Sequence, residues 1–113
     1  MLTDEAGNQM LVYWSLGNFI NSTSGTGAGV ADRMCGGMAQ FTLSRQEDGQ
    51  VAIEEYGVEP LVTQMLTGTG RITTYKFSEY TPELAAENEI RKQDPAFSYE
   101  YCAEVFKCFE AQE

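Results

Sequence analysis

Apolar and polar positions alternate between residues 38 and 62, and this alternation predicts a pair of half-buried strands. "MAQFTLSR" places Ala39, Phe41 and Leu43 on one face, and "QVAIEEYGVEPLV" continues in the same style. The Asp48-Gly49 pair in the intervening "QEDGQ" supplies the positive φ that a tight hairpin needs. Pro60 cannot donate a hydrogen bond to a strand ladder, so we expect the second strand to end there or to reach a sheet edge.

Two other segments predict strands. "MLVYW", from Met10 to Trp14, is a continuous apolar run bounded by turn residues, which is typical of a strand buried on both faces. "RITTYKF" follows a Gly-Thr turn at 67–70 and predicts a further strand. Residues 21–37 carry five glycines among serines and threonines, so they predict a loop.

Helical signals come last in the chain. Thr81 followed by Pro82 is typical of an N-cap and a first helical position, and Ser98 predicts a second N-cap. An apolar stripe at helical spacing follows Ser98: Cys102, Val105, Phe106 and Phe109. Strands followed by helices predict an α+β fold, with an antiparallel sheet of about four strands and then two C-terminal helices. We expect one domain over residues 1–113, mostly β over 1–80 with the loop at 21–37, and mostly helical over 81–113.

The charge excludes several partners. The chain of 113 residues has 17 acidic and 7 basic residues, a net charge of −10. Such a balance repels phosphate backbones and anionic membrane surfaces, so we expect no nucleic-acid binding. No apolar run approaches the roughly 20 residues that cross a bilayer, so we expect no membrane insertion by this segment. The first residues lack a basic region followed by an apolar one and predict no signal peptide.

The residue types also exclude most catalytic sites. The chain has no histidine, so a Ser-His-Asp, Cys-His or His-metal site cannot be assembled from it. Its three cysteines are Cys35, Cys102 and Cys108; an odd number without a CxxC pair predicts neither a disulfide framework nor a zinc site. We expect Cys102 and Cys108 to be buried as small apolar residues of the helix. "GTGAG" at 25–29 lacks the context of a phosphate-binding loop and predicts a flexible one.

The corner Ser15-Leu16-Gly17-Asn18-Phe19 is the candidate site. Gly17 allows another backbone to approach closely, and Asn18 can hold a left-handed turn or present its amide to a ligand. The alternative is structural: the Asn18 amide ties the turn to itself.

"LVYWSLGNFI" resembles the "YSLGNF" segment of the CapA-type capsule-synthesis proteins, the poly-γ-glutamate synthesis family. The resemblance continues through "GGMAQFTLSRQEDGQVAIEEYGVEPLVT" and "TTYKFSEYTPELAAENEI", and it covers most of residues 8–92. The family is similar in fold to the calcineurin-like metallophosphatases, which are two-sheet α/β sandwiches with a metal centre. Its metal-binding segments, ending in a Gly-His-x-His-like motif, precede SLGNF and have no counterpart in this chain.

The resemblance therefore implies a C-terminal part of a metallophosphatase-like protein, without catalysis or a cofactor of its own. Divalent metal ions would belong to the full-length parent, a metal-dependent phosphoesterase-like enzyme. By position in the family fold, Ser15, Gly17 and Asn18 would lie on the rim of the substrate or metal pocket, with no catalytic role. The implied partners are the missing N-terminal part of the same protein and the parent's polymer or phosphoester substrate. The implied location is the bacterial cell envelope or the exterior.

Two functional hypotheses follow. In the first, the chain is the C-terminal portion of a CapA-like protein that makes or anchors capsule or poly-γ-glutamate. In the alternative, it is a stand-alone acidic binding or protein-interaction module without catalysis. If "MLVYWSL" is an interior strand of the parent, the separate chain exposes that strand's edge, and we expect it to form a homodimer or to aggregate.

Overall fold

A computed structural model of the chain describes residues 1–18, 26–66 and 68–110. Parts of three predicted features lie outside the described residues. They are Phe19 of the corner, the first part of the loop at 21–37 and the first residue of the turn at 67–70. Within them the fold is α+β, as the sequence predicts, with two antiparallel sheets followed by two α-helices. The strands are β1 (Leu2–Thr3), β2 (Gln9–Met10), β3 (Cys35–Arg45), β4 (Val51–Met65) and β5 (Ile72–Lys76). The α-helices are α1 (Pro82–Glu87) and α2 (Tyr99–Glu110), and three short 3-10 helices cover Val30–Met34, Phe77–Glu79 and Glu89–Lys92.

The larger sheet has the order β3-β4-β5, and its long hairpin confirms the alternating pattern. The turn contains Gly49 at φ 85°, and the Asp48 side chain accepts the Gln50 amide at 2.9 Å. The register changes between two neighbouring pairs: Thr42 lies opposite Glu55, whereas Leu43 lies opposite Ile53. Glu54 is therefore the extra residue of a β-bulge.

Pro60 lies inside β4, so the strand does not end there and that alternative of the prediction is wrong. The other alternative, that the strand reaches a sheet edge at Pro60, is confirmed. β5 pairs only with Leu61–Met65, and β4 has no β5 neighbour at Pro60. On the other side, Gly37 lies opposite Pro60 and donates its N–H away from β4, to the Leu16 carbonyl at 2.7 Å. The missing N–H of Pro60 therefore costs the ladder no hydrogen bond.

The segment from Met10 to Trp14 is not an interior strand, and this prediction is wrong. Only Met10 belongs to a strand, in the two-residue pairing of β2 with β1. Leu11, Val12 and Tyr13 are partly buried, and Trp14 is 86% exposed. The Tyr13 hydroxyl donates to the Gly57 carbonyl at 2.6 Å, so the segment is held against β4 by a side chain rather than by a ladder.

The loop predicted at 21–37 is shorter than expected. A 3-10 helix forms over Val30–Met34 because Ala31 and Met34 both bury their side chains completely, and β3 begins at Cys35. Both predicted N-caps are confirmed, because the Leu84 amide donates to Thr81 Oγ1 and the Tyr101 amide to Ser98 Oγ.

The core lies at one end of the large sheet, where the helices pack. Its buried residues are Ala31, Met34, Cys35, Val62, Tyr80, Ala85, Ile90, Phe97, Cys102 and Phe106. Cys102 is thus buried, as the sequence predicts, whereas Cys108 is exposed, so its predicted burial is wrong. Along β3 the last buried residue is Gly37, and along β4 the first is Leu61. The rest of the hairpin, residues 38–59, extends beyond the core and is called the arm below. The chain measures 56 × 23 × 22 Å with a radius of gyration of 17.4 Å, whereas about 13 Å is typical of a compact domain of this length.

Candidate functional site

The Ser15–Asn18 corner lies against the start of β3. Gly17 has φ 75°, and a Cβ there would lie 3.0 Å from the Cys35 carbonyl oxygen. Gly36 makes the same approach from the other side, because its Cβ would lie 2.4 Å from the Asn18 carbonyl oxygen. Glycine at both positions is thus what lets the two backbones meet.

The structure gives the three predicted site residues different surroundings. Asn18 is partly buried, and its side-chain amide donates to the Arg33 carbonyl at 3.0 Å, which ties the corner to the 3-10 helix. Gly17 is exposed but packs against β3, and Ser15 is exposed and lines a neighbouring groove. This hydrogen bond of Asn18 is structural, as in the alternative prediction. Its acceptor, however, belongs to the 3-10 helix and not to the turn that contains Asn18.

The groove beside the corner has a volume of about 800 Å³. Its walls come from residues 11–16, from β4 and from α2. Most of its lining is apolar and aromatic, including Val12, Trp14, Tyr56, Val58, Pro60, Phe77, Phe106 and Phe109. Lys107 also lines it and forms an ion pair with Glu104 at 2.7 Å. Because few polar groups converge there, the groove is suited to apolar contact rather than to acid–base chemistry.

One face of the arm is apolar and exposed. Cross-strand pairs lie on the same face, and alternate residues of β3 share it. The pairs on this face are Ala39 with Val58, Phe41 with Tyr56, Leu43 with Ile53 and Arg45 with Val51. Phe41 is 55% exposed, Leu43 53% and Val51 63%. This apolar face of the arm continues into the groove, because Tyr56 and Val58 belong to both.

The opposite face of the arm is polar and acidic. Its cross-strand pairs are Met38 with Glu59, Gln40 with Gly57, Thr42 with Glu55 and Ser44 with Ala52. The bulge at Glu54 places Ile53 and Tyr56 on the same face of the arm. Without it, strict alternation along β4 would put these two side chains on opposite faces. The arm is therefore amphipathic over its whole length.

Asp94 anchors the segment that supports the corner. It is 2% exposed, and its Oδ2 accepts the amides of Gly29 and Ala31 at 2.9 and 3.1 Å. Oδ1 accepts the Ala96 amide at 3.2 Å. The amide of Ala31, followed by those of Ala96 and Gly29, lowers the pKa of Asp94 against the opposing effect of burial.

We expect Asp94→Asn to weaken the fold at pH 7 and to flatten its acid dependence. A lowered pKa stabilises the fold above the unfolded value of about 3.9, and this contribution is lost as pH falls through the folded value. Thermal unfolding between neutral pH and about pH 2 measures it. Asp48→Asn, in the exposed hairpin turn, is the control. Parallel pH profiles for wild type and Asp94→Asn would contradict the role of Asp94.

Comparisons with protein-family models, curated proteins and solved structures give no match. The resemblance to the capsule-synthesis family therefore stays a prediction.

Metal ligands do not cluster in the described part of the chain: residues 1–18, 26–66 and 68–110 hold no group of three or more Cys, Asp or Glu side chains placed for an ion. Within the same ranges, no helix has the length and apolar character to cross a membrane.

Proposed function

We propose that the chain is a non-catalytic part of a capsule-synthesis-type protein and that the apolar face of the arm docks against the remainder of that protein. One observation supports the proposal: the amphipathic arm leaves Phe41, Leu43 and Val51 exposed on its apolar face. The resemblance over residues 8–92 suggests which polypeptide covers it.

The physical argument concerns the stability of the arm. A two-stranded hairpin is marginal in water unless its apolar face packs on something. Exposed Phe41, Leu43 and Val51 form one contiguous patch with Tyr56, and such patches are typical of interaction surfaces. α2 covers the same face only near the base, where a Cβ on Gly37 would lie 3.4 Å from Phe109. A polypeptide bound to the arm would extend over the part of the apolar face that α2 does not cover.

On this proposal, the metal-dependent phosphoesterase-like chemistry belongs to the parent and its upstream segments. Ser15, on the groove rim, would lie next to that polypeptide, while Gly17 and Asn18 shape the corner. The parent would act on a polymer or phosphoester at the bacterial cell envelope or outside it.

The acidic surface favours the second candidate function, a stand-alone interaction module. In that case the apolar face would bind a separate protein. A second copy is the less favourable occupant, because each chain carries a net charge of −10 and like charges oppose association. The homodimer expected from a strand edge at 10–14 is also not supported, because residues 11–14 form no strand.

Co-expression with the polypeptide encoded directly upstream in the same reading frame tests the proposal. Wild-type chain should co-purify with it. Phe41→Ser with Leu43→Ser should weaken binding by about 100-fold or more, because each buried apolar side chain contributes about 1.5–3 kcal/mol. Gln40→Ser with Thr42→Ser, on the polar face of the same strand, is the matched control and should bind as wild type.

Four outcomes would decide against this function. Equal loss of binding in both double variants would show that the apolar face is not the docking surface. Unimpaired binding of Phe41→Ser with Leu43→Ser would do the same. An upstream frame without a Gly-His-x-His-like segment would favour the stand-alone module, and a concentration-dependent dimer sensitive to the same two substitutions would favour self-association.

A further inference from the structure

β3 is the outer strand of the larger sheet in the described part of the chain, and its outer edge runs along the arm. In an antiparallel pair, the N–H and C=O of successive residues point alternately toward the partner strand and away from it. The Gly37 amide points away from β4, because it donates to the Leu16 carbonyl at 2.7 Å. The amides of Ala39, Phe41 and Leu43 therefore also point outward.

The outward groups of β3 are open to pairing. Within the part of the chain that the structure describes, no main-chain hydrogen bond from another segment reaches Ala39, Phe41 or Leu43. Proline, lysine and bulges are the usual features that prevent pairing at an exposed edge. β4 carries Pro60 and the bulge at Glu54 where it has no β5 neighbour, whereas "MAQFTLS" of β3 contains neither proline nor lysine. The fold thus protects the free edge of β4 and leaves that of β3 open.

We propose that the outer edge of β3 binds an extended segment of the polypeptide that covers the arm, as an added antiparallel strand in which apolar and basic residues alternate. This inference rests on the proposed function, since it states how that polypeptide would contact the arm. The added strand would extend the larger sheet along the arm.

The two faces of the arm determine this alternation. Residues of the added strand that bond to the outward groups of β3 place their side chains on the apolar face, next to Phe41. The intervening side chains lie on the polar face, on the same side of the sheet as Glu55 and Glu59 of β4. The cross-strand partners of these two carboxylates, Thr42 and Met38, are uncharged. Two strand spacings, about 10 Å, are comparable with the Debye length at 0.1 M salt, so the carboxylates favour basic residues at these positions.

A second copy of the chain is the competing occupant of the edge. Its own β3 could pair with this one, but each chain carries a net charge of −10, and like charges oppose association. The same charge attracts a basic segment. Charge complementarity therefore favours the basic partner over self-association.

Fluorescence anisotropy with a dye-labelled peptide tests the inference. The probe is Lys-Val-Lys-Val-Lys-Val-Lys, acetylated and amidated, titrated with the wild-type chain at low ionic strength. N-methylation of its valines blocks the amides that would face β3 and should weaken binding by about 10-fold or more. N-methylation of the same number of lysines blocks amides on the far side and should leave binding unchanged. Glu-Val-Glu-Val-Glu-Val-Glu should bind at least about 10-fold more weakly than the lysine peptide.

Variants of the chain test the contribution of the polar face. Glu55→Gln with Glu59→Gln should weaken binding of the lysine peptide by about 3-fold. Glu83→Gln with Glu87→Gln, at exposed positions of α1, is the matched control, because it changes the net charge equally. This control should bind the peptide as the wild-type chain does.

Equal binding of the two N-methylated peptides, or no saturable binding of the lysine peptide, would overturn the strand addition. Equal binding of the lysine and glutamate peptides would overturn the basic partner. A concentration-dependent dimer that the lysine peptide dissociates would assign the edge to a second copy and would also overturn the inference. These failures leave the docking proposal standing if Phe41→Ser with Leu43→Ser still weakens co-purification with the upstream polypeptide. The expected peptide pattern without co-purification would count against the upstream polypeptide and not against the edge.

Discussion

Asn88→Ala is expected to lower the free energy of unfolding by about 3 kcal/mol, the largest effect of a single polar substitution that the structure suggests. Asn88 is 2% exposed and joins three parts of the fold. Its Nδ2 donates to the Thr63 carbonyl and to Gln64 Oε1, both at 3.0 Å. Its Oδ1 accepts the Ile90 amide at 3.1 Å.

The network around Asn88 explains the size of the effect. Gln64 is fully buried; its Nε2 donates to the Leu84 carbonyl at 2.8 Å, and its Oε1 also accepts the Tyr80 hydroxyl. Burial raises the pKa of Tyr80, so its hydroxyl remains a donor throughout the neutral range. Alanine at position 88 would leave several of these groups without a partner and without access to water, which costs more than one lost hydrogen bond.

Urea unfolding measures the change. Asn8→Ala is the matched control, because Asn8 is exposed and donates to Asp4 at the surface. We expect the control to change the free energy of unfolding by less than about 1 kcal/mol. A similarly small change for Asn88→Ala would show that the buried network contributes little.

Gly36→Ala is expected to lower the free energy of unfolding by about 1–3 kcal/mol and to displace the corner from β3. The new Cβ would lie 2.4 Å from the Asn18 carbonyl oxygen and 3.0 Å from that of Leu16. Both obstructing atoms are backbone, so no side-chain rotation relieves the clash. Displacing the corner would also break the hydrogen bond that the Gly37 amide donates to the Leu16 carbonyl at 2.7 Å.

Amide hydrogen exchange at Gly37 reports this displacement directly. We expect faster exchange at Gly37 in Gly36→Ala, together with the loss of stability. Gly57→Ala is the control in the same sheet, because its Cβ would meet nothing within 4 Å. Unchanged protection of Gly37 in Gly36→Ala would mean that the corner does not depend on the glycine.

The sequence predicted those parts of the fold that depend on neighbouring residues. The hairpin turn follows from Asp48-Gly49, whose glycine takes the positive φ. Both helix starts follow from Thr81 and Ser98, whose side chains accept amides three residues later. In each case the signal and the structure lie within a few residues of each other.

Features that depend on distant residues were missed. The apolar run at 10–14 predicted a buried strand, but Met10 and Trp14 are exposed, and residues 11–14 line a groove instead of entering a sheet. The bulge at Glu54 has no composition signal, yet it decides which side chains share the apolar face. The glycines at 36 and 37 were the available signal for the corner, because a glycine pair in a strand indicates a close backbone approach.

Site-specific photo-crosslinking in cells that co-express the chain with the separately expressed upstream polypeptide tests the docking surface most directly. A benzophenone side chain at position 41, on the apolar face of the arm, should form an adduct with the polypeptide that carries the metal-binding segments of a capsule-synthesis-type protein. The same group at position 42, on the polar face, should form none. No adduct from position 41, or equal adducts from both positions, would contradict the account.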